Sequence, residues 1–245
     1  MRLQRRETRV LTTAVACAVL LGGMIYWHAR LRDGQPGPDA PAVRDASSAL
    51  AALRAGNVRF VMSSRTLSTD TAHDSELRHQ TAKEQHPFAV ILCCSDSRVI
   101  PEFIFDQRAG SIFEIRNAGN VVDEDVLASF EYAVEHLHVP LMVVLGHKGC
   151  GAIEAVCEAG DKPLHGHLGA LQTHMTGIRK QVIECNHRHD ADVVNRLAEE
   201  NAKQQALAVL RDSHALKAAV DRGMVRMVYG IYDMEIGAVE FFDIP

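Results

Sequence analysis

Two short, unbroken apolar runs restrict the fold more than anything else in the chain. Phe88 to Cys93 and Leu141 to Leu145 are each of strand length, and each ends abruptly in polar residues. A strand with one wet face would alternate apolar and polar residues, so these two read as strands covered on both faces. Ile112 to Ile115, Val225 to Val228 and Ala238 to Phe242 read as three more. Helical spacing occupies the intervals: Ser47 to Phe60 (interrupted at Gly56-Asn57), a polar stretch from Asp74 to Gln85, Val126 to Leu137, Gly166 to Cys185 and Ala191 to Val220. Strands alternating with helices in this way predict an α/β fold with a mainly parallel sheet of four to five strands flanked by helices.

In such a sheet the ligand site lies beyond the carboxyl ends of the strands. The residues there carry soft-metal ligands. The first apolar run leads into Cys94-Ser95-Asp96-Ser97-Arg98, and the Leu141 run into Gly146-His147-Lys148-Gly149-Cys150-Gly151. Zinc takes thiolate and imidazole ligands in a tetrahedral set, and a catalytic site leaves one position open. His147 and Cys150 are spaced so that one turn supplies two ligands, and Cys94 is the third from a neighbouring strand end. Asp96 and Arg98 lie two apart, on one side of an extended segment. The Asp96 carboxylate either becomes a fourth ligand or pairs with Arg98, and only the second arrangement leaves room for water. A lone cysteine or an isolated H-x-x-C is ordinary core; the weight rests on the combination.

These residues resemble the β-class carbonic anhydrases, in particular their plant-like members. C-x-D-S-R stands at Cys94 to Arg98 and H-x-x-C at His147 to Cys150. Arg116-Asn117-Ala118-Gly119-Asn120, Glu131-Tyr132-Ala133-Val134 and Gly56-Asn57-Val58-Arg59-Phe60 also fit the family pattern. The resemblance covers residues 46–245. It implies one zinc ion on Cys94, His147 and Cys150, with Asp96 as a switch that closes the fourth position or pairs with Arg98. It implies that Gln85 hydrogen-bonds substrate, and that the protein is a homodimer or higher homo-oligomer with each site near a subunit interface. The implied reaction is reversible hydration of CO2 to bicarbonate and a proton through a zinc-bound hydroxide. Two thiolates donate more charge to zinc than imidazoles do, so activity is expected to rise on the alkaline side of neutral. Two other readings stand beside it: a zinc hydrolase of carbonyl sulfide or carbon disulfide on the same fold, and a non-catalytic zinc-stabilised scaffold.

Outside residues 46–245, Val10 to Trp27 is an uncharged apolar run flanked by arginines. It reads as an uncleaved membrane anchor, a cleaved signal or a buried core helix. Residues 1–32 are therefore expected to be a signal or anchor segment that exports the body, and residues 33–45, rich in Pro, Gly and Asp, a linker. That leader holds six arginines and one acid, which leaves 20 basic and 30 acidic residues in the rest of the chain. A body that acidic offers no footprint for nucleic acid.

Of the remaining candidates, His86 beside Gln85 is the histidine best placed to shuttle protons. His165, His167, His174, His187, His189 and His214 read as solvated. Cys93 should face away from Cys94 by strand alternation. Cys157 and Cys185 are a possible pair if the body is exported. The only tryptophan, Trp27, lies in the leader, so the tryptophan-dependent bicarbonate pocket of one family subgroup is not expected.

Overall fold

The computed structural model describes residues 43, 45–65, 78–79, 81–160, 162–175, 177–178 and 191–244, all within one compact unit, Pro41–Pro245. The leader with its 10–27 run and Trp27, most of the linker, Cys185, His187 and His189 lie outside the described residues.

Five strands form one sheet: β1 (Ala89–Cys94), β2 (Ile112–Asn117), β3 (Leu141–His147), β4 (Arg226–Tyr232) and β5 (Val239–Asp243). Their spatial order is β2-β1-β3-β4-β5, with the first four parallel and β5 antiparallel to β4. The α/β class and the mainly parallel sheet are as the sequence predicts. All six residues of β1 and all seven of β3 are buried.

Alternation along these strands builds two cores. Val90 and Leu92 join Met142, Val144, Tyr229 and Ile231 on one face. Two helices cover that face: α3 (Glu124–Glu135), through Val126 and Phe130, and α6 (Ala191–Asp212), through Ala202, Ala206 and Val209. The adjoining α7 (His214–Asp221) contributes Leu216. Ile91 and Cys93 join Val143, Leu145 and Val228 on the other face. There α1 (Ala46–Val61) packs through Ala49, Leu50 and Leu53, and the short α2 (Pro101–Ile104) through Ile104. Cys93 thus turns away from Cys94, as alternation requires.

The close approach of α6 to β3 depends on Gly146. A Cβ there would stand 2.9 Å from Ile231 Cδ1 and 3.1 Å from both the Ala198 carbonyl oxygen and Ala202 Cβ. The G-N-x-R-F motif locks α1 onto the opposite side. Asn57 Nδ2 donates to the carbonyls of Ile104 (3.2 Å) and Gly237 (2.8 Å), and its Oδ1 accepts from the Val239 N–H (2.8 Å). Arg59 pairs with the buried Asp106 at 2.6 Å.

Four expectations about the elements need correction. The polar helix drawn from Asp74 does not reach Gln85, because residues 82–88 are irregular; Pro87 disfavours helix at the residue before it. Gly166 to Cys185 is not one helix. Gly166–Leu168 is a 3-10 turn and α5 (Gly169–His174) stops at Met175, while most residues beyond lie outside the description. Ala191 to Val220 breaks at Ser213, whose hydroxyl caps α7 by accepting the Leu216 N–H and donates to Glu131. The strands β1, β2, β3 and β4 run one to four residues past their apolar runs.

Candidate metal centre

Cys94 is the last residue of β1 and His147 the last of β3. Cys150 sits at the N-cap of α4 (Gly151–Ala159), two residues after His147's neighbour Lys148. Their ligand atoms all lie within 4.8 Å of one another, and the two sulfurs are 4.0 Å apart. All three residues are buried, and Val121, Ile153, Met175, Val194 and Leu197 pack in the same cluster.

The donors suit zinc. His147 is fully buried, and its Nδ1 lies 2.9 Å from the Lys148 carbonyl. A carbonyl only accepts, so Nδ1 carries the proton and Nε2 presents its lone pair. That Nε2 has no hydrogen-bond partner. A buried imidazole with one nitrogen oriented by a carbonyl and the other bare is what a metal ligand requires. The Cys94 thiol is pushed down, first by the Cys150 thiol against it, with burial opposing and the Gly119 N–H also lowering it. Cys150 is pushed up by the same partner, because the first thiolate of an adjacent pair holds the second proton in place. A divalent cation would reverse that and hold both as thiolates.

Backbone contacts hold the turn that carries two of the ligands. The Lys148 N–H donates to the Tyr232 carbonyl (3.0 Å), its Nζ meets Asp233 (2.7 Å), and the Gly149 N–H donates to Asn195 Oδ1 (2.9 Å).

Asp96 is not part of the ligand-atom group and is paired with Arg98, the second of the two arrangements expected for it. Nε of Arg98 donates to Oδ1 at 2.9 Å and a terminal guanidinium nitrogen to Oδ2 at 2.8 Å. The Arg98 backbone N–H adds a third bond at 3.0 Å. That guanidinium is the first cause holding the Asp96 carboxyl well below the usual carboxylate range, against desolvation. The pairing arises differently from the extended segment foreseen. Residues 96–99 form a turn closed by the Val99 N–H on the Asp96 carbonyl, and the carboxylate bends back to Arg98 as an Asx turn does.

Gln85 and His86 are exposed on the irregular stretch before β1. Gln85 makes no hydrogen bond among the described residues, and His86 lies 3.4 Å from Glu84. Neither belongs to the ligand cluster. Cys157 is a free, buried thiol.

Spacing alone missed the supports. Arg116 donates to the carbonyls of Asp96 (2.9 Å) and Cys94 (3.4 Å), tying β2 to the site-bearing segment. Asn195, Asn201 and Gln205 come from α6. Asn201 and Gln205 sit four apart among Ala198, Ala202, Ala206 and Val209, and polar residues on an apolar stripe were the available signal.

Residues 89–239 match the family model for carbonic anhydrase. Carbonic anhydrase 2 of Mycobacterium tuberculosis is 36% identical over 187 residues, covering 76% of this chain and 87% of the relative. A carbonic anhydrase of Mycolicibacterium smegmatis is 46% identical over 114 residues, covering 45% of this chain and about half, 52%, of the relative. Among solved structures, a tetrameric β-carbonic anhydrase of Sordaria macrospora superposes with a TM-score of 0.61 at 25% identity, over 76% of this chain and 96% of that one.

Proposed function

The chain belongs to the carbonic anhydrase family, in its β class, and on that footing we propose how its residues carry out reversible hydration of carbon dioxide to bicarbonate and a proton. Cys94, His147 and Cys150 hold one zinc ion; the bare, buried Nε2 of His147 beside two thiols is the observation that carries this assignment. Zinc bound there supplies a Lewis acid that lowers the pKa of water toward neutrality.

The protein's own part is to shape and orient. The thiols and the imidazole come from the ends of two rigid strands and a helix cap, so the ligand triangle is set by the sheet. Asp96 stays ionised through the physiological range because Arg98 holds its charge. An ionised carboxylate only accepts hydrogen bonds. Beside the nucleophilic oxygen Asp96 would accept a hydrogen bond, without taking its proton, and so direct a lone pair at the carbon of CO2. Arg98 keeps it from swinging into the ligand set. Gln85 binds a substrate oxygen through its amide. Its exposure fits a homo-oligomer in which a second copy completes the site, as the tetrameric state of the Sordaria enzyme suggests.

Residues 1–32 act as a signal or anchor that takes the catalytic body, residues 46–245, out of the cytoplasm, with 33–45 as linker. The uncharged 10–27 run between arginines supports this. Among the described residues no helix is long and apolar enough to cross a membrane, and the 10–27 run lies outside them. Fractionating cells that express the full chain tests it: activity in the periplasmic or membrane fraction is expected, and purely cytosolic activity overturns it.

Replacing Asp96 with Asn tests the catalytic assignment. The variant should keep one zinc per chain and lose at least about tenfold in CO2 hydration by stopped flow; wild-type turnover would remove Asp96 from the mechanism.

A further inference from the structure

The turn between β2 and α3 places a backbone donor on a metal ligand. The Gly119 N–H points at Cys94 Sγ, 3.4 Å away. The price is two successive residues in the left-handed region, Gly119 at φ +74° and Asn120 at φ +44°. At Gly119 a side chain would be strained by that φ, and its Cβ, 2.2 Å from Met175 Cε and 3.3 Å from Ala152 Cβ, would force the buried Met175 side chain to move. At Asn120 the conformation is strained, and its Nδ2 is buried with no hydrogen-bond partner. A turn that costs this much persists only if its surroundings hold it.

Three amide side chains do so. Asn117, at the end of β2, clasps Val121 by donating to its carbonyl (2.8 Å) and accepting its N–H (2.9 Å). From α6, Asn201 Nδ2 donates to the Gly119 carbonyl at 2.9 Å. Gln205 Nε2 donates to Asn201 Oδ1 (3.0 Å) and to the His174 carbonyl (3.1 Å), while its Oε1 accepts the Val122 N–H (2.8 Å). Asn201 is 1% exposed and Gln205 4%. Buried amides on an apolar stripe are retained where their polar atoms have partners, and here the partners are each other, the turn at Gly119 and Val122, and the His174 carbonyl.

We infer that Asn201, braced by Gln205, is a positioning residue for the metal centre: it fixes Gly119 so that its N–H stays on the Cys94 sulfur. This rests on Cys94 being a zinc ligand. A donor on a thiolate draws charge from the sulfur, so the contact restrains how much Cys94 donates to the metal and fixes the direction of its lone pairs. The peptide that makes the contact is held at its neighbouring carbonyl by Asn201, eighty-two residues away in sequence, which makes α6 part of the zinc site without supplying a ligand.

The test uses the full chain loaded with Co(II), whose thiolate-to-metal charge-transfer band reports the charge on sulfur. Asn201→Leu keeps the side chain's bulk and removes its donor. Its band should move to lower energy and its zinc affinity, by chelator competition, should fall about tenfold, the lower end of what such supports typically carry. Gln205→Met should shift both in the same direction by less, which keeps the test available if Asn201→Leu does not fold. Val209→Ala, a cavity in the same helix away from the site, should lower the melting temperature and leave band and affinity in place. An unshifted band and unchanged affinity in the folded variants, or equal changes in Val209→Ala, overturn the inference. A wild type that gives no thiolate–cobalt band overturns the zinc assignment beneath it.

Discussion

Arg98 makes the sharpest single-residue claim, because its work is confined to one neighbour. In Arg98→Ala the backbone N–H bond to Asp96 survives and two guanidinium bonds, at 2.9 and 2.8 Å, are lost. A hydrogen bond to a charged group contributes about 1.5–3 kcal/mol where water is excluded. An exposed ion pair contributes about 0–1 kcal/mol. The Asp96 side chain is 16% exposed and that of Arg98 61%, so the pair falls between these limits. Solvent on the arginine side weakens the pair, so its loss lowers the bias toward the outward orientation by at most about tenfold. Without it the carboxylate is free to enter the ligand set and close the site. Stopped-flow CO2 hydration should show kcat/KM down by up to about tenfold, with zinc still at one per chain by atomic absorption. The Co(II)-loaded variant should lose exchange of its open position, read as insensitivity of its spectrum to added anions. Arg98→Lys restores a point charge without the two-pronged geometry and should recover only part of the rate. Wild-type hydration by Arg98→Ala would refute the reasoning, as would a loss that merely tracks loss of zinc.

Separate parts of the molecule carry further expectations. Cys94→Ser should lower zinc below one per chain and take hydration with it; full zinc and full turnover would exclude Cys94 from the ligand set. Burial, then Glu102 beside it, pushes the Glu114 carboxyl up to about 8 from an ordinary 4.5, with Arg116 opposing. The stability this contributes is complete below about pH 4.5 and is lost as pH rises toward 8. Glu114→Gln, neutral at every pH, should therefore gain in melting temperature over wild type progressively from pH 5 to 9, and parallel curves would contradict the assignment. Asn57→Ala leaves the Ile104 and Gly237 carbonyls and the Val239 N–H without their partner. At about 1–3 kcal/mol per buried orphan, partly relieved by water, urea denaturation should show a loss of roughly 2–4 kcal/mol; a loss near zero would mean that α1 is held by other contacts.

The sheet and the ligands were legible because burial on both faces writes an unbroken apolar run, and the polar residues at the carboxyl end of such a run form the site. Strand ends were less so. Apolarity marks burial, whereas Cys94 stays in register with Asn117 and His147 with Tyr232 through backbone bonds that no side chain announces. The Asp96–Arg98 pair was one of two arrangements foreseen for Asp96, but its geometry comes from a turn that two-residue alternation does not describe. Asn201 and Gln205 stayed hidden because polar residues on a helix are ordinarily given to the wet face, although their spacing sets them on the stripe of Ala198, Ala202 and Ala206. Only the proximity of α6 to the 118–120 turn, a tertiary fact, turns them inward. The substrate-binding role proposed for Gln85 has no trace within one chain, where the residue is exposed and outside the ligand cluster.

The central claim is that zinc on Cys94, His147 and Cys150 drives CO2 hydration. The direct measurement is stopped-flow hydration at mildly alkaline pH for the zinc-loaded protein, the same protein stripped by chelator, and the stripped protein after zinc is restored. Fast hydration that disappears with the metal and returns with one equivalent is the expected result, rising on the alkaline side of neutral. A fully zinc-loaded protein that leaves CO2 untouched would contradict the account.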